Sequence, residues 1–235
     1  MTKNFLLLPV VLMIINACNQ PAEGPDQVLP KDRMDSISYI IGYDYGKGIR
    51  EQEIKANPFL VYKGIYDALN KEQGLFDDSL QSRLIAEFNQ ELEVKDAERF
   101  NEMLAKNKQD GEKFLEENSK KADVFVLPSG LQYKVMKLGS GDYPSVADSI
   151  TIHYRAMYLD RTTFDMSYDG GPVDIRINHL VKGLTEGIRL MQPGAIFEFY
   201  IPSQLAYGDR NYLDLVPAGS TVIYTIELIA IHNKK

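Results

Sequence analysis

The sequence predicts an α+β protein in two parts: a helical amino-terminal half, then an antiparallel sheet wrapped around one short helix. Three observations predict it. Apolar residues recur at helical spacing from Ile37 onward, the repeat switches to strict alternation after Lys121, and one short amphipathic run, His179 to Met191, interrupts the later strands. A chain of 235 residues can bury a real core, and 44% hydrophobic with 25% charged residues excludes general disorder. A formal charge of −7, from 26 Lys and Arg against 33 Asp and Glu, argues against a nucleic-acid binder. One Cys and three His allow no disulfide framework and no zinc cluster, so no metal is expected. Gly46-Lys47-Gly48 and Gly139-Ser140-Gly141 fit neither a dinucleotide fingerprint nor a P-loop, so no cofactor is expected.

Residues 1–17 read as an export signal: Lys3 precedes an apolar run from Phe5 to Ile15 that is too short to span a bilayer comfortably. The run ends in Asn16-Ala17-Cys18, similar to a bacterial lipobox, which implies a lipid anchor on Cys18 and attachment to the cell envelope, in particular the outer membrane. The polar, Pro-rich residues 18–32 read as a tether. A helical domain follows over residues 33–123. Ile37, Ile40, Ile41 and Tyr45 share one helix face, Asn57-Pro58 is an N-cap with proline at the first turn, and Asp78 with Gln81 has capping-box spacing. From Asp78 to about Asn118 the chain has no proline, with Gly111 a place where a long helix could kink. Val94 to Lys113 is so charged that it reads as a solvated strut. Helices this few make a thin core, so pairing of two copies through their apolar faces is expected.

Residues 124–235 read as the β domain. Leu131, Tyr133 and Val135 alternate with polar neighbours, as do Ile150, Ile152, Tyr154 and Ala156, and then Val173, Ile175 and Ile177. Ala195 to Ile201 and Thr221 to Ile231 supply two more strands. His153, His179 and His232 have no metal-ligand spacing, and no serine has a nucleophile-elbow context.

This half resembles the FKBP-type peptidyl-prolyl isomerases through an ordered series: Ser129-Gly130-Leu131-Gln132-Tyr133, His153-Tyr154, Thr163-Phe164-Asp165, Val181-Lys182-Gly183-Leu184, Leu205-Ala206-Tyr207-Gly208 and Val216-Pro217-Ala218-Gly219. The helical half is similar to the amino-terminal domain of Mip-like and FkpA-like two-domain members, through Ser38-Tyr39-Ile40-Ile41-Gly42 and Gly64-Ile65-Tyr66-Asp67-Ala68-Leu69. The resemblance implies an envelope homodimer that isomerises X-Pro bonds in unfolded, proline-containing clients. It implies catalytic roles for Tyr154, Phe164, Asp165 and Tyr207, and substrate-binding roles for Val181, Leu184, Val216, Tyr224, Val173 and Ile175. From periodicity alone, Val181, Leu184 and Val216 would serve equally as core residues. Tyr212 is left open as the residue closing the far side.

The chain departs from the family pattern where the pocket floor is usually Trp and here is Leu184. That change removes flat contact area and implies a looser, weaker site. The alternative reading is a chaperone or binding module of the same fold with little catalysis.

Overall fold

A computed structural model describes residues 28–71 and 73–232. The signal, Cys18 and all but the end of the tether lie outside the described residues. The chain divides into two compact units, one ending at Leu80 and the other starting at Gln81.

The first unit holds α1 (Arg33–Glu51) and α2 (Pro58–Asn70). Asp32 caps α1 by accepting the Asp35 N–H at 2.8 Å, and Asn57 caps α2 by accepting the Phe59 N–H at 3.0 Å. Pro58 opens α2, where its missing N–H costs nothing. No residue of α1 is buried, and α2 buries only Asp67, gripped by Lys63 and Lys71 at 2.9 and 2.8 Å. Tyr39, Ile40, Ile41, Phe59, Leu60, Tyr62 and Leu69 are all exposed. Two short helices thus leave their apolar faces without a cover inside this unit.

The helix α3 (Asp78–Ser119) is 42 residues long, about 63 Å at 1.5 Å per residue. It runs unbroken through Gly111, which is buried. The remaining elements are β1 (Phe125–Val126), β2 (Gln132–Lys137), β3 (Ser149–Met157), β4 (Thr163–Met166), β5 (Val173–Arg176), α4 (Lys182–Gly187), β6 (Ile196–Ile201) and β7 (Val222–His232). The strands form one antiparallel sheet in the order β1-β2-β6-β7-β3-β4. Its strand β5 shares an edge with β4: β5 pairs with the first half of β3, Ser149 opposite Arg176, and β4 with the second half, Arg155 opposite Met166.

Both faces of the sheet are covered. On one, α4 packs Leu184 into a core with Ile150, Ile152, Ala156, Phe197, Phe199, Val222 and Ile226. On the other, Tyr200 and Ile223 join Met157 and Val124, against Phe114 and Leu115 of α3. Gln132, polar by pattern, is buried there because α3 answers it: its amide donates to Leu115 O at 2.8 Å and accepts from Asn118 Nδ2 at 3.0 Å.

Two expectations need correction. The stretch from Val94 to Lys113 is not a fully solvated strut, because Leu104, Asn107, Lys108 and Gly111 lie against residues 209–221. Nor is His179 to Met191 a single helix. Only six residues form α4, flanked by 3₁₀ turns at Ile177–His179 and Ile188–Leu190, and the tighter winding leaves Leu190 exposed.

Candidate active site

An aromatic cluster gathers where β3, β4, β7, the start of α4 and the β6–β7 connection meet. Alternation along β3 turns Tyr154 to the same side as Ile150 and Ile152. Phe164 and Asp165 follow on β4, Tyr224 stands near the start of β7, and Tyr207, Tyr212 and Val216 come from the connection. Leu184 and Val216 are buried, as is Tyr224 at 6% exposure, while Tyr154, Phe164, Ile175, Val181 and Tyr207 pack against them half-buried.

The rings are arranged rather than merely adjacent. Phe164 meets Tyr224 edge-on at 6.3 Å and 84°, and Tyr154 lies 6.4 Å from Tyr224. Tyr207 and Tyr212 stack at 4.3 Å. Their polar tips are paired: the Tyr154 hydroxyl donates to Asp165 Oδ2 at 2.9 Å, and the Tyr207 and Tyr224 hydroxyls share a 2.7 Å bond. Burial, reinforced by the Asp165 carboxylate, pushes the Tyr154 phenol up to about 12. Burial also raises Tyr224, with the Tyr207 hydroxyl adding to it, and raises Tyr207 against an opposing pull from its bond to Tyr224. All three phenols therefore stay protonated at neutral pH and keep an O–H to donate.

Nine of the ten residues expected at a peptide site thus converge. Asp165 is exposed but tied to Tyr154, and Val181 sits one residue ahead of α4, its carbonyl accepting the Thr185 N–H at 2.9 Å. Val173 is exposed, pairs with Ile152 across the strand, and is not among the side chains packed on the cluster.

Sequence reasoning missed Tyr158. Its ring lies 4.9 Å from Phe164 and its hydroxyl donates to Leu215 O, joining the β3–β4 turn to the segment carrying Val216. Continuing the alternation Tyr154, Ala156, Tyr158 by one step would have found it. Beside that turn, Arg161 takes φ +69 and holds Glu198 through two 3.0 Å bonds, with the Tyr200 hydroxyl donating to the same carboxylate at 2.6 Å.

Two cavities lie elsewhere. One of about 630 Å³ separates α1 from α2 along Tyr45, Ile49, Val61 and Ile65, and one of about 410 Å³ is walled by Tyr133, Val135, Phe197 and Leu190. Neither is lined by the paired hydroxyls, so the aromatic cluster is the better site for chemistry. It presents apolar surface, protonated phenols and one carboxylate, with no poised nucleophile. That suits a reaction needing a dry surface and hydrogen-bond donors, such as twisting an amide.

Comparison with known proteins agrees. Residues 34–135 match the domain amino terminal to FKBP-type peptidyl-prolyl isomerase, and residues 141–229 match the FKBP-type peptidyl-prolyl cis-trans isomerase family. The chain is 34% identical over 198 residues to the outer membrane protein MIP of Legionella longbeachae, covering 84% of this chain and 85% of that protein. It is 34% identical over 223 residues to the FKBP-type peptidyl-prolyl cis-trans isomerase FkpA of Aeromonas hydrophila, covering 92% and 82%. The crystal structure of FkpA from Escherichia coli superposes with a TM-score of 0.73 at 25% identity, over 87% of this chain and 99% of that one.

Proposed function

The chain belongs to the FKBP-type peptidyl-prolyl cis-trans isomerase family and is an isomerase of X-Pro bonds; we propose that it works at the cluster of Tyr154, Phe164, Asp165 and Tyr207 over Leu184, Val216 and Tyr224. Val181 and Ile175 border that cluster, and Val173 lies outside it. The observation that carries the assignment is the pairing of the Tyr154, Tyr207 and Tyr224 hydroxyls around an apolar floor.

An X-Pro amide is slow to rotate because resonance sets a barrier of about 18–20 kcal/mol. Twisting the C–N bond removes its polar resonance form, so an apolar surface favours the twisted state over the planar one. Tyr207 supplies a hydroxyl to the peptide as Tyr224 holds it in place, and Asp165 keeps Tyr154 oriented. Leu184 offers less flat contact than a tryptophan would, which weakens substrate binding without removing the chemistry.

The protein belongs to the cell envelope. A lipid on Cys18 would hold it at the outer membrane, the helical domain 33–123 would pair two copies through the uncovered faces of α1 and α2, and the isomerase domain 124–235 would meet exported, proline-containing clients. A second reading, a holding chaperone with little catalysis, is favoured by Leu184 and by the same exposed apolar helices. The test is isomerisation of a Leu-Pro or Phe-Pro tetrapeptide by the chain from Glu23 onward. Acceleration that falls in Tyr207→Phe supports the site. No acceleration by the parent, with activity appearing only in Leu184→Trp, supports the holding chaperone.

A further inference from the structure

The second half of α3 lies on the β6–β7 connection, the segment that brings Tyr207, Tyr212 and Val216 to the site. Its contacts fall on one helical stripe, Leu104, Asn107, Lys108 and Gly111, and the stripe continues through Phe114, Leu115 and Asn118. The approach is close enough to need glycine on both sides. Gly219 has φ +76, and a Cβ there would stand 2.8 Å from Leu104 Cδ1 and 3.0 Å from Leu104 O; a Cβ on Gly111 would stand 2.3 Å from Thr221 Oγ1. Two polar contacts fasten the same span: Asn107 Nδ2 donates to Ala218 O at 2.9 Å, and Lys108 Nζ pairs with Asp209 Oδ2 at 2.7 Å.

These fastenings meet a loop that is closed on itself. Gly219 N–H donates to Gly208 O at 2.9 Å, Ala218 N–H donates to Asn211 Oδ1 at 2.9 Å, and Tyr212 and Val216 exchange both backbone bonds. Asp209, Ala218 and Gly219 form the neck of this loop, and α3 grips all three. Beyond the neck, Tyr212 stacks on Tyr207 and Val216 is buried in the cluster. Displacing the neck would carry Tyr212 and Val216 with it.

We propose that Asn107 and Lys108 of α3 are positioning residues for the isomerase site, setting the Gly208–Gly219 loop whose Tyr212 and Val216 form one wall of the peptide site. The arm is then part of the site's frame as well as a spacer. The proposal rests on the assignment of the aromatic cluster as the reaction centre.

The chain has no tryptophan, so Tyr212→Trp places a single tryptophan in the wall, whose emission is read by exciting at the red edge where tyrosine does not absorb. In that background Asn107→Ala with Lys108→Met is expected to move the emission maximum and increase acrylamide quenching. In the otherwise native chain the same pair is expected to raise KM on the order of tenfold with kcat nearly constant. Exchanging charges, Lys108→Asp with Asp209→Lys, should restore KM. Raising the salt should increase KM in the parent and not in Lys108→Met, because the ion pair is half exposed and screened. Emission, quenching and KM all unchanged in the double variant would overturn the proposal, and so would an emission change with KM unaltered. A parent without isomerase activity would instead refute the site assignment, while the emission change would still decide whether α3 positions the loop.

Discussion

Removing the Tyr207 hydroxyl alone from the Tyr207–Tyr224 pair should cost more than removing both hydroxyls. The two hydroxyls are 2.7 Å apart, and Tyr224 is 6% exposed whereas Tyr207 is half-buried. Tyr207→Phe strands the Tyr224 hydroxyl, and an unmet buried hydroxyl costs about 1–3 kcal/mol. Tyr224→Phe leaves the Tyr207 hydroxyl nearer to water, so its cost should be smaller, about 0.5–1.5 kcal/mol. With both removed, two similar apolar rings face each other, and the double variant should be less destabilised than Tyr207→Phe alone. The coupling expected is on the order of 1 kcal/mol. Urea unfolding of the four proteins of this cycle measures it. A double variant whose loss equals the sum of the single losses would refute the idea that these hydroxyls satisfy each other.

The Glu198 carboxyl is raised by burial but more than offset by bonds from Arg161 and Tyr200, so it ends below the ordinary glutamate value. Its folded-state value being depressed, the stability it contributes is present above the unfolded carboxyl range and is lost as pH falls through the folded value. Arg161→Ala should therefore make the acid-side loss begin at higher pH, read from thermal melts between pH 7 and 4; an unchanged acid limb would discount the pair. Gly219→Ala should destabilise by about 1–3 kcal/mol, from its positive φ and the collision with Leu104, and Asn at the same position should cost less strain but retain the collision. Ile41→Glu on the exposed face of α1 should convert a dimer to monomers in sedimentation while leaving the tetrapeptide assay unchanged; a monomeric parent would remove the pairing.

What the sequence discloses and what it hides follow physical lines. The strands were legible because alternation is strict where one face is buried, as at Ile150, Ile152, Tyr154 and Ala156. Asn57-Pro58 marked a helix start because its capping chemistry is local. The packed stripe of α3 was not legible, since Asn107, Lys108, Gly111 and Asn118 look like a solvated face until the partners Ala218, Asp209, Thr221 and Gln132 are brought up by the fold. Composition cannot tell a polar residue that meets water from one that meets a distant carbonyl. The same limit applied to the site. Tyr154 and Tyr207 stood out as members of a motif series and Tyr224 only by its place on the strand that follows it, but their hydroxyl pairing depends on side chains brought together from separate strands and loops. Tyr158 escaped because it lies just past the end of β3, and Val173 looked inward because alternation says nothing about how far a sheet edge extends beyond its core.

The most direct measurement is kcat/KM for a Leu-Pro tetrapeptide with the parent, Tyr207→Phe and Leu184→Trp side by side. A catalytic site at the aromatic cluster predicts clear acceleration by the parent, a loss in Tyr207→Phe and a gain in Leu184→Trp. Equal rates for parent and Tyr207→Phe, with Leu184→Trp no faster, would place the chemistry somewhere other than this cluster.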